Sequence, residues 1–303
     1  MLRFILILLI FLPVPAFAAP KVVATIAPLA GIAAAVMGDV AAPGLLIKNN
    51  ASPHTYQLKP SDAVLLGAAD VVLWVGEGME SMLAGKLTTL SPQADVLGLM
   101  DEDAGMMHLP SRNENVWETE ADEHEHHHAH DHGHDDPHAW LDPQNALVLA
   151  ERLAALLVRK DPANAAAYVA NLTGFKADMQ QLDAELKELL APVRSRRFVV
   201  FHDAYQYFER HYGLNAIGAV SLSPDVPPSP QRMADLQKRI VSENAVCVFA
   251  EPQFSPALID TLLAGTSAQR GVLNADASDL PVNPGLYVAY LRRLAAAFRE
   301  CLG

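Results

Sequence analysis

Histidine is the side chain best suited to hold a divalent transition ion near neutral pH. Eight of the twelve histidines in this chain fall in one stretch, "EHEHHHAHDHGHDDPHAWLDP", residues 123–143. His124, His126, His127, His128, His130, His132 and His134 are interleaved with carboxylates, and their i, i+2 and i, i+4 pairs offer many local chelating geometries. Abundance of that kind carries little specificity. It reads either as an auxiliary metal-gathering segment or as a solvated polar loop. From Ser111 to Asp136 the only bulky apolar side chains are Val116 and Trp117. Such a segment cannot bury enough surface to offset its ordering entropy, so a mobile, disordered loop is expected over 111–136.

His138 differs from the seven before it. It sits in "DPHAWLDP", where two Asp-Pro pairs and a Trp mark the return of structured chain, and Asp142-Pro143 then opens a helical run. His54, in "ASPHTYQLKPSD", follows the strand-like "GLLIK", and His202, in "VVFHDAYQYF", lies where a strand gives way to a helix. Open α/β sheets place their ligand sites beyond the C-terminal ends of strands. Three histidines so placed in two lobes can converge on one cleft, although each alone reads equally well as an ordinary loop residue. Three imidazoles and a water are also a catalytic zinc set, with Asp203 or Glu251 as candidate bases. Against a hydrolase, the H-E-x-x-H match at His124–His128 lies in the polar stretch and not on an expected helix, and the chain has no G-x-S-x-G and no phosphate-binding G-x-x-x-x-G-K-[ST].

The elements that must position these residues follow from periodicity. "KVVATIA", "APGLLI", "DVVLWVG" and "ADVLGL" alternate with helical or polar stretches, and a second set follows in "RRFVVFH", "NAIGAV", "AVCVFAEP" and "RGVLNAD". This alternation predicts two α/β lobes with mainly parallel sheets. Between them Tyr168, Leu172, Phe175, Met179, Leu182, Leu186 and Leu189 recur at steps of three and four, one continuous helical stripe with Asp161 as N-cap and Pro162 in the first turn. A helix of that length, about 45 Å at 1.5 Å per residue, can brace both lobes.

The first residues, "MLRFILILLIFLPVPAFAAP", place Arg3 before a short apolar run and end in Ala16-Phe17-Ala18, the pattern of a cleavable export signal. The expected organisation is therefore a signal peptide at 1–18, an N-terminal lobe at 19–160, a linking helix at 161–193 and a C-terminal lobe at 194–303. The formal charge of −13 argues against nucleic acid and anionic membranes as partners, which want basic patches, and suits a cation as cargo or simply a soluble exported protein. Cys247 and Cys301 are the only cysteines, an even pair that reads as a disulfide in an oxidising compartment, with two thiolate metal ligands as the alternative.

At "SPHTYQLKPSD", "DPHAWLDP", "FHDAYQYF" and "FAEPQFSP" the chain resembles the periplasmic metal-binding proteins of the cluster A-I ABC transporters, most closely their zinc-uptake branch, the ZnuA-like proteins. The resemblance covers essentially the whole mature chain. It implies two α/β lobes joined by one long rigid helix, with Zn2+ held as cargo in the inter-lobe cleft by His54, His138 and His202 and delivered to a membrane permease. It also implies a periplasmic monomer and a disulfide at Cys247 and Cys301. The manganese branch carries a carboxylate where this sequence has His202, and imidazole favours zinc. Some relatives place a glutamate beside the first histidine, where this chain has Pro53. The fourth position is therefore left to Asp276, as a direct ligand or as an outer hydrogen-bond partner, or to water, and Glu251 is a further candidate for an outer contact. Adhesins on the same fold are a further alternative.

Overall fold

The computed structural model describes residues 18–49, 51–112, 135–221 and 227–303. The expected signal peptide up to residue 17 lies outside the described residues, as do His124, His126, His127, His128, His130, His132 and His134.

All eight apolar runs read from the sequence form strands. In the N-terminal lobe these are β1 (Val22–Ala24), β2 (Gly44–Leu45), β3 (Val71–Trp74) and β4 (Asp95–Gly98), paired in parallel in the order β2-β1-β3-β4. Helices α1 (Ala27–Met37), α2 (Pro60–Gly67), α3 (Leu87–Leu90) and α4 (Pro143–Lys160) complete it. The linking helix is α5 (Ala165–Leu190). The C-terminal lobe carries β5 (Arg197–His202), β6 (Asn215–Ser221), β7 (Cys247–Ala250) and β8 (Gln269–Val272), again parallel, in the order β6-β5-β7-β8. Its helices are α6 (Gln206–Tyr212), α7 (Pro230–Ser242), α8 (Ala257–Leu263) and α9 (Leu286–Leu302). The result is a two-lobed α/β fold with mainly parallel sheets, joined by a long helix.

The stripe on α5 buries Tyr168, Phe175, Met179, Leu182 and Leu186, but at its end Leu190 is buried and Leu189 only partly so. A step of four after Leu186 follows from the 3.6-residue turn, because alternating steps of three and four drift off the buried face. Single 3-10 turns at Pro162–Asn164 and Ala191–Val193 flank the helix. Asp161 stands at the N-cap position of the first of these turns, and its carboxylate also accepts from the Asn164 side chain (2.7 Å) and the Tyr168 hydroxyl (2.9 Å).

The lobes share more than this helix. α5 packs against α1, α4 and α9, and α9 reaches across from the C-terminal lobe to α1. The contact is close because Gly31 leaves room: a Cβ there would lie 3.0 Å from the backbone nitrogen of Tyr287. One apolar core, from Val22 on β1 to Phe298 on α9, therefore runs through both lobes, and a second, smaller one lines the other face of the C-terminal sheet. The Cys247–Cys301 disulfide, with its Cα atoms 5.9 Å apart, ties β7 to α9.

Glu80 is fully buried in the N-terminal lobe and fastens the ends of two strands. It accepts from Thr25 Oγ1 just after β1 (2.5 Å) and from the backbone N–H groups of Val75 (3.2 Å) and Gly76 (3.0 Å) just after β3. Gly78, in the turn it closes, lies alongside Pro137, next to His138. Burial pushes its carboxyl up to about 7, against these hydrogen bonds, which hold it down. A folded-state value above the unfolded one favours the fold below about pH 4.5, and that contribution is lost as pH rises through about 7, roughly 3 kcal/mol in all. Glu80→Gln cannot ionise. In urea unfolding of the metal-free protein, the parent's stability relative to this variant should fall by about 2 to 3 kcal/mol between pH 5 and pH 8. Parallel pH profiles would show that Glu80 does not titrate in this way.

Candidate metal centre

Three chain segments deliver the three histidines. His54 sits in a turn between β2 and α2, and Pro53 beside it is buried. His202 is the last residue of β5. His138 precedes a 3-10 turn, Ala139–Leu141, after which Asp142 caps α4 by accepting from the Gln144 N–H (2.7 Å). The expectation that His138 follows a strand of the sheet is corrected here. Among the described residues, what precedes it is an isolated antiparallel bridge between Pro110 and Asp135, outside both sheets.

The rings converge. Their centroids are 5.1 Å apart for His138 and His202, 5.4 Å for His54 and His138, and 5.8 Å for His54 and His202. One nitrogen from each lies within 4.8 Å of the others. Carboxylates stand behind two of them. His138 Nδ1 lies 2.7 Å from Asp136 Oδ1, and His202 Nδ1 lies 2.7 Å from Glu251 Oε1. When ionised, each carboxylate can only accept, so each Nδ1 then carries the hydrogen and each Nε2 points inward. The two Nε2 atoms face one another at 3.2 Å. Two lone pairs at that distance need one cation between them, a proton or a metal ion.

The fields on the rings differ. Burial lowers His54 and His138 well below the ordinary imidazole value, and the neighbouring histidines lower them further. Burial also presses on His202, but Glu251, through its charge and its hydrogen bond, lifts it above that value, with Asp203 and Asp136 assisting. Burial pushes the Asp136 carboxyl up to about 7, against the backbone N–H of His138 and the charge of Arg112.

The family profile described as zinc-uptake complex component A, periplasmic, matches residues 22–301. This chain belongs to the ZnuA family. It is 38% identical over 307 residues to the high-affinity zinc uptake system protein ZnuA of Brucella abortus (strain 2308), covering 93% of this chain and 91% of that one. With the protein of the same name from Paracoccus denitrificans (strain Pd 1222) it shares 39% identity over 300 residues, covering 94% and 92%. A crystal structure of ZnuA superposes with a TM-score of 0.77 at 26% identity, covering 94% of this chain and all of that one. A ZnuA deletion mutant solved with zinc bound gives the same TM-score at 25% identity, covering 94% and 98%.

Within this ZnuA-family cleft the carboxylates read from the sequence take different places. Asp276 and Glu251 both line the pocket, together with Ser52, Pro53, Trp140 and Phe254. Neither joins the group of ligand atoms within 4.8 Å. Asp276 Oδ1 is already held by the Ser278 N–H (2.9 Å) and hydroxyl (2.7 Å). Asp136 was not among the sequence candidates; its signal was the D-P-H spacing, which lets a carboxylate fold back on a ring two residues ahead. Trp140 was also missed as a fastener. Its Nε1–H donates to the Ala275 carbonyl (3.0 Å), beside Asp276, while the Tyr287 hydroxyl on α9 donates to the Trp140 carbonyl (2.7 Å).

Arg112 was counted with the expected loop, yet only 17% of its side chain is exposed. Its guanidinium grips Asp203 through Nη2 (2.5 Å) and Nε (3.1 Å) and reaches Glu209 on α6 through Nη1 (2.9 Å). Burial raises both carboxyls, and the guanidinium opposes it. Without Arg112 two buried carboxylates, one of them next to His202, would be left without this counter-charge. Arg112→Met should cost the metal-free protein about 3 to 5 kcal/mol at pH 8 in urea unfolding. Part of that loss should return as the pH is lowered, because burial raises both carboxyls and a protonated carboxyl needs no counter-charge. A loss below about 0.5 kcal/mol, the scale of an exposed ion pair, would count against this account.

Proposed function

We propose that this protein captures Zn2+ in the cleft between its lobes and hands it to the membrane permease of an ABC transporter for zinc uptake. The observation that carries this reading is the pair of inward-facing Nε2 atoms, with His54 as the third donor. Two nitrogens bound to one tetrahedral zinc at about 2.0 to 2.1 Å stand roughly 3.4 Å apart, close to the spacing found. Neutral imidazoles suit zinc, and a nitrogen-rich set disfavours manganese in the affinity order of divalent ions. The family's profile and the names of the uptake proteins it resembles support the same assignment. The family is a transport component and not an enzyme, so zinc is cargo.

In this reading His54, His138 and His202 are the ligands, and water takes the fourth position. Glu251 orients His202, while Asp276 lends negative charge from outside the coordination sphere. The protein works in the periplasm as a monomer after removal of residues 1–18. The histidines from His124 to His134 form a weaker auxiliary site that gathers zinc near the cleft.

Calorimetric zinc titration of the mature, metal-stripped protein tests this. One tight site is expected, weakened by more than about 100-fold in His54→Ala, beyond the 10- to 100-fold usual for an outer partner. Deleting residues 118–134 should preserve that site and remove the weaker ions. Were the tight site to vanish with the deletion and survive His54→Ala, the cleft would not hold the cargo.

A further inference from the structure

We infer that Asp136 is a positioning residue for zinc capture, setting which nitrogen of His138 faces the cleft, and that the C-terminal lobe in turn fixes Asp136. The inference rests on the proposed role of His138 as a ligand.

Asp136 is 3% exposed and held on every side. Its Oδ1 accepts twice from the same residue, from the backbone N–H of His138 (3.0 Å) and from the ring Nδ1 (2.7 Å). Pro137 lies between and restricts the backbone, so the carboxylate and the ring are locked as one unit. The Gln206 amide, oriented with its nitrogen toward these acceptors, donates to Asp136 Oδ2 (3.0 Å) and to the Pro110 carbonyl (3.3 Å). The Tyr207 hydroxyl donates to the Asp136 carbonyl (2.9 Å) and accepts from the Leu109 N–H (2.9 Å). The Asp136 N–H closes the ring of contacts by donating to the Leu109 carbonyl (2.7 Å).

Gln206 and Tyr207 both lie on α6, in the C-terminal lobe. His138 belongs to the segment leading into α4, yet its carboxylate partner is gripped by the lobe that carries His202. The orientation of one nitrogen toward the other is therefore set across the cleft before any ion arrives. A histidine ligand with its distal nitrogen bonded to a carboxylate keeps one tautomer and gains basicity. Loss of the charge exposes that choice. In Asp136→Asn the amide can donate to Nδ1 instead of accepting from it, which moves the ring hydrogen to Nε2, the nitrogen needed for zinc.

The test uses the full mature protein. Zinc affinity of the tight site is measured by competition with a chromophoric chelator, and the His138 ring nitrogens are followed by 15N NMR with and without zinc. In the parent, His138 should keep its hydrogen on Nδ1 in the zinc-loaded state. Asp136→Asn should lose about 10- to 100-fold in affinity, populate the Nε2–H tautomer when metal-free, and melt close to the parent. Affinity within twofold of the parent with Nδ1 still protonated would overturn the inference. So would a parent Nδ1 without hydrogen in the zinc-loaded protein, a result that needs no variant to fold. His138→Ala separates the two levels of argument: if it abolishes tight binding while Asp136→Asn does not, only the role of Asp136 fails. If His138→Ala leaves binding intact, the ligand assignment fails and the inference with it.

Discussion

Two imidazole nitrogens brought to 3.2 Å with their lone pairs facing is an arrangement that repels itself unless a cation lies between. Everything near the cleft serves to hold that geometry. Asp136 and Glu251 fix the hydrogens on the far nitrogens, and each carboxylate is buried, where a hydrogen bond to charge is strong and a lost one is costly. Arg112 then offsets part of the negative charge, through Asp203 next to His202 and Glu209 on α6. The site is thus a small buried charge system, with imidazoles at its centre, carboxylates around them and a guanidinium behind.

Such a system keeps its spacing only if the lobes do not drift. A single helix of 26 residues, about 39 Å long, would still bend under load. The fold adds a second connection, because α9 packs on α1 at Gly31 while the disulfide secures α9 to β7, the strand that ends just before Glu251. The continuous core through α1, α4, α5 and α9 makes relative motion of the lobes a loss of apolar packing and not a free hinge. Trp140 and Tyr287 extend the same logic to the cleft wall, since their hydrogen bonds cross from the segment of His138 to the C-terminal lobe.

Much of this was legible in the sequence. Strand positions were readable because buried parallel strands are short apolar runs, and all eight emerge where the runs fall. His54, His138 and His202 could be singled out by their places at the ends of elements, and the cysteines by their number. What the sequence hid were partnerships over long separations. Arg112 meets Asp203 and Glu209 from 91 and 97 residues away, and Tyr207 meets Asp136 from 71. Local composition assigned Arg112 to a polar loop, since a window of neighbours cannot reveal a buried counter-charge supplied by another lobe. The strand expected before His138 failed for a related reason: the bridge at Pro110 and Asp135 is a tertiary contact with no periodic signature.

Rigidity and delivery place opposite demands on this fold, and the distribution of its cores shows how both can be met. His54 sits in a turn outside any helix or strand and is less buried than its two partners, which are anchored by carboxylates in the shared interior. Strength of hold is therefore uneven around the cleft. Two rings are fixed by hydrogen bonds to buried carboxylates, and the third stands in a turn held by the Thr55 N–H donating to the Ser52 carbonyl (3.3 Å) and by the buried Pro53. Moving the lobes apart would expose part of a common core, whereas the turn carrying His54 belongs to no helix or strand.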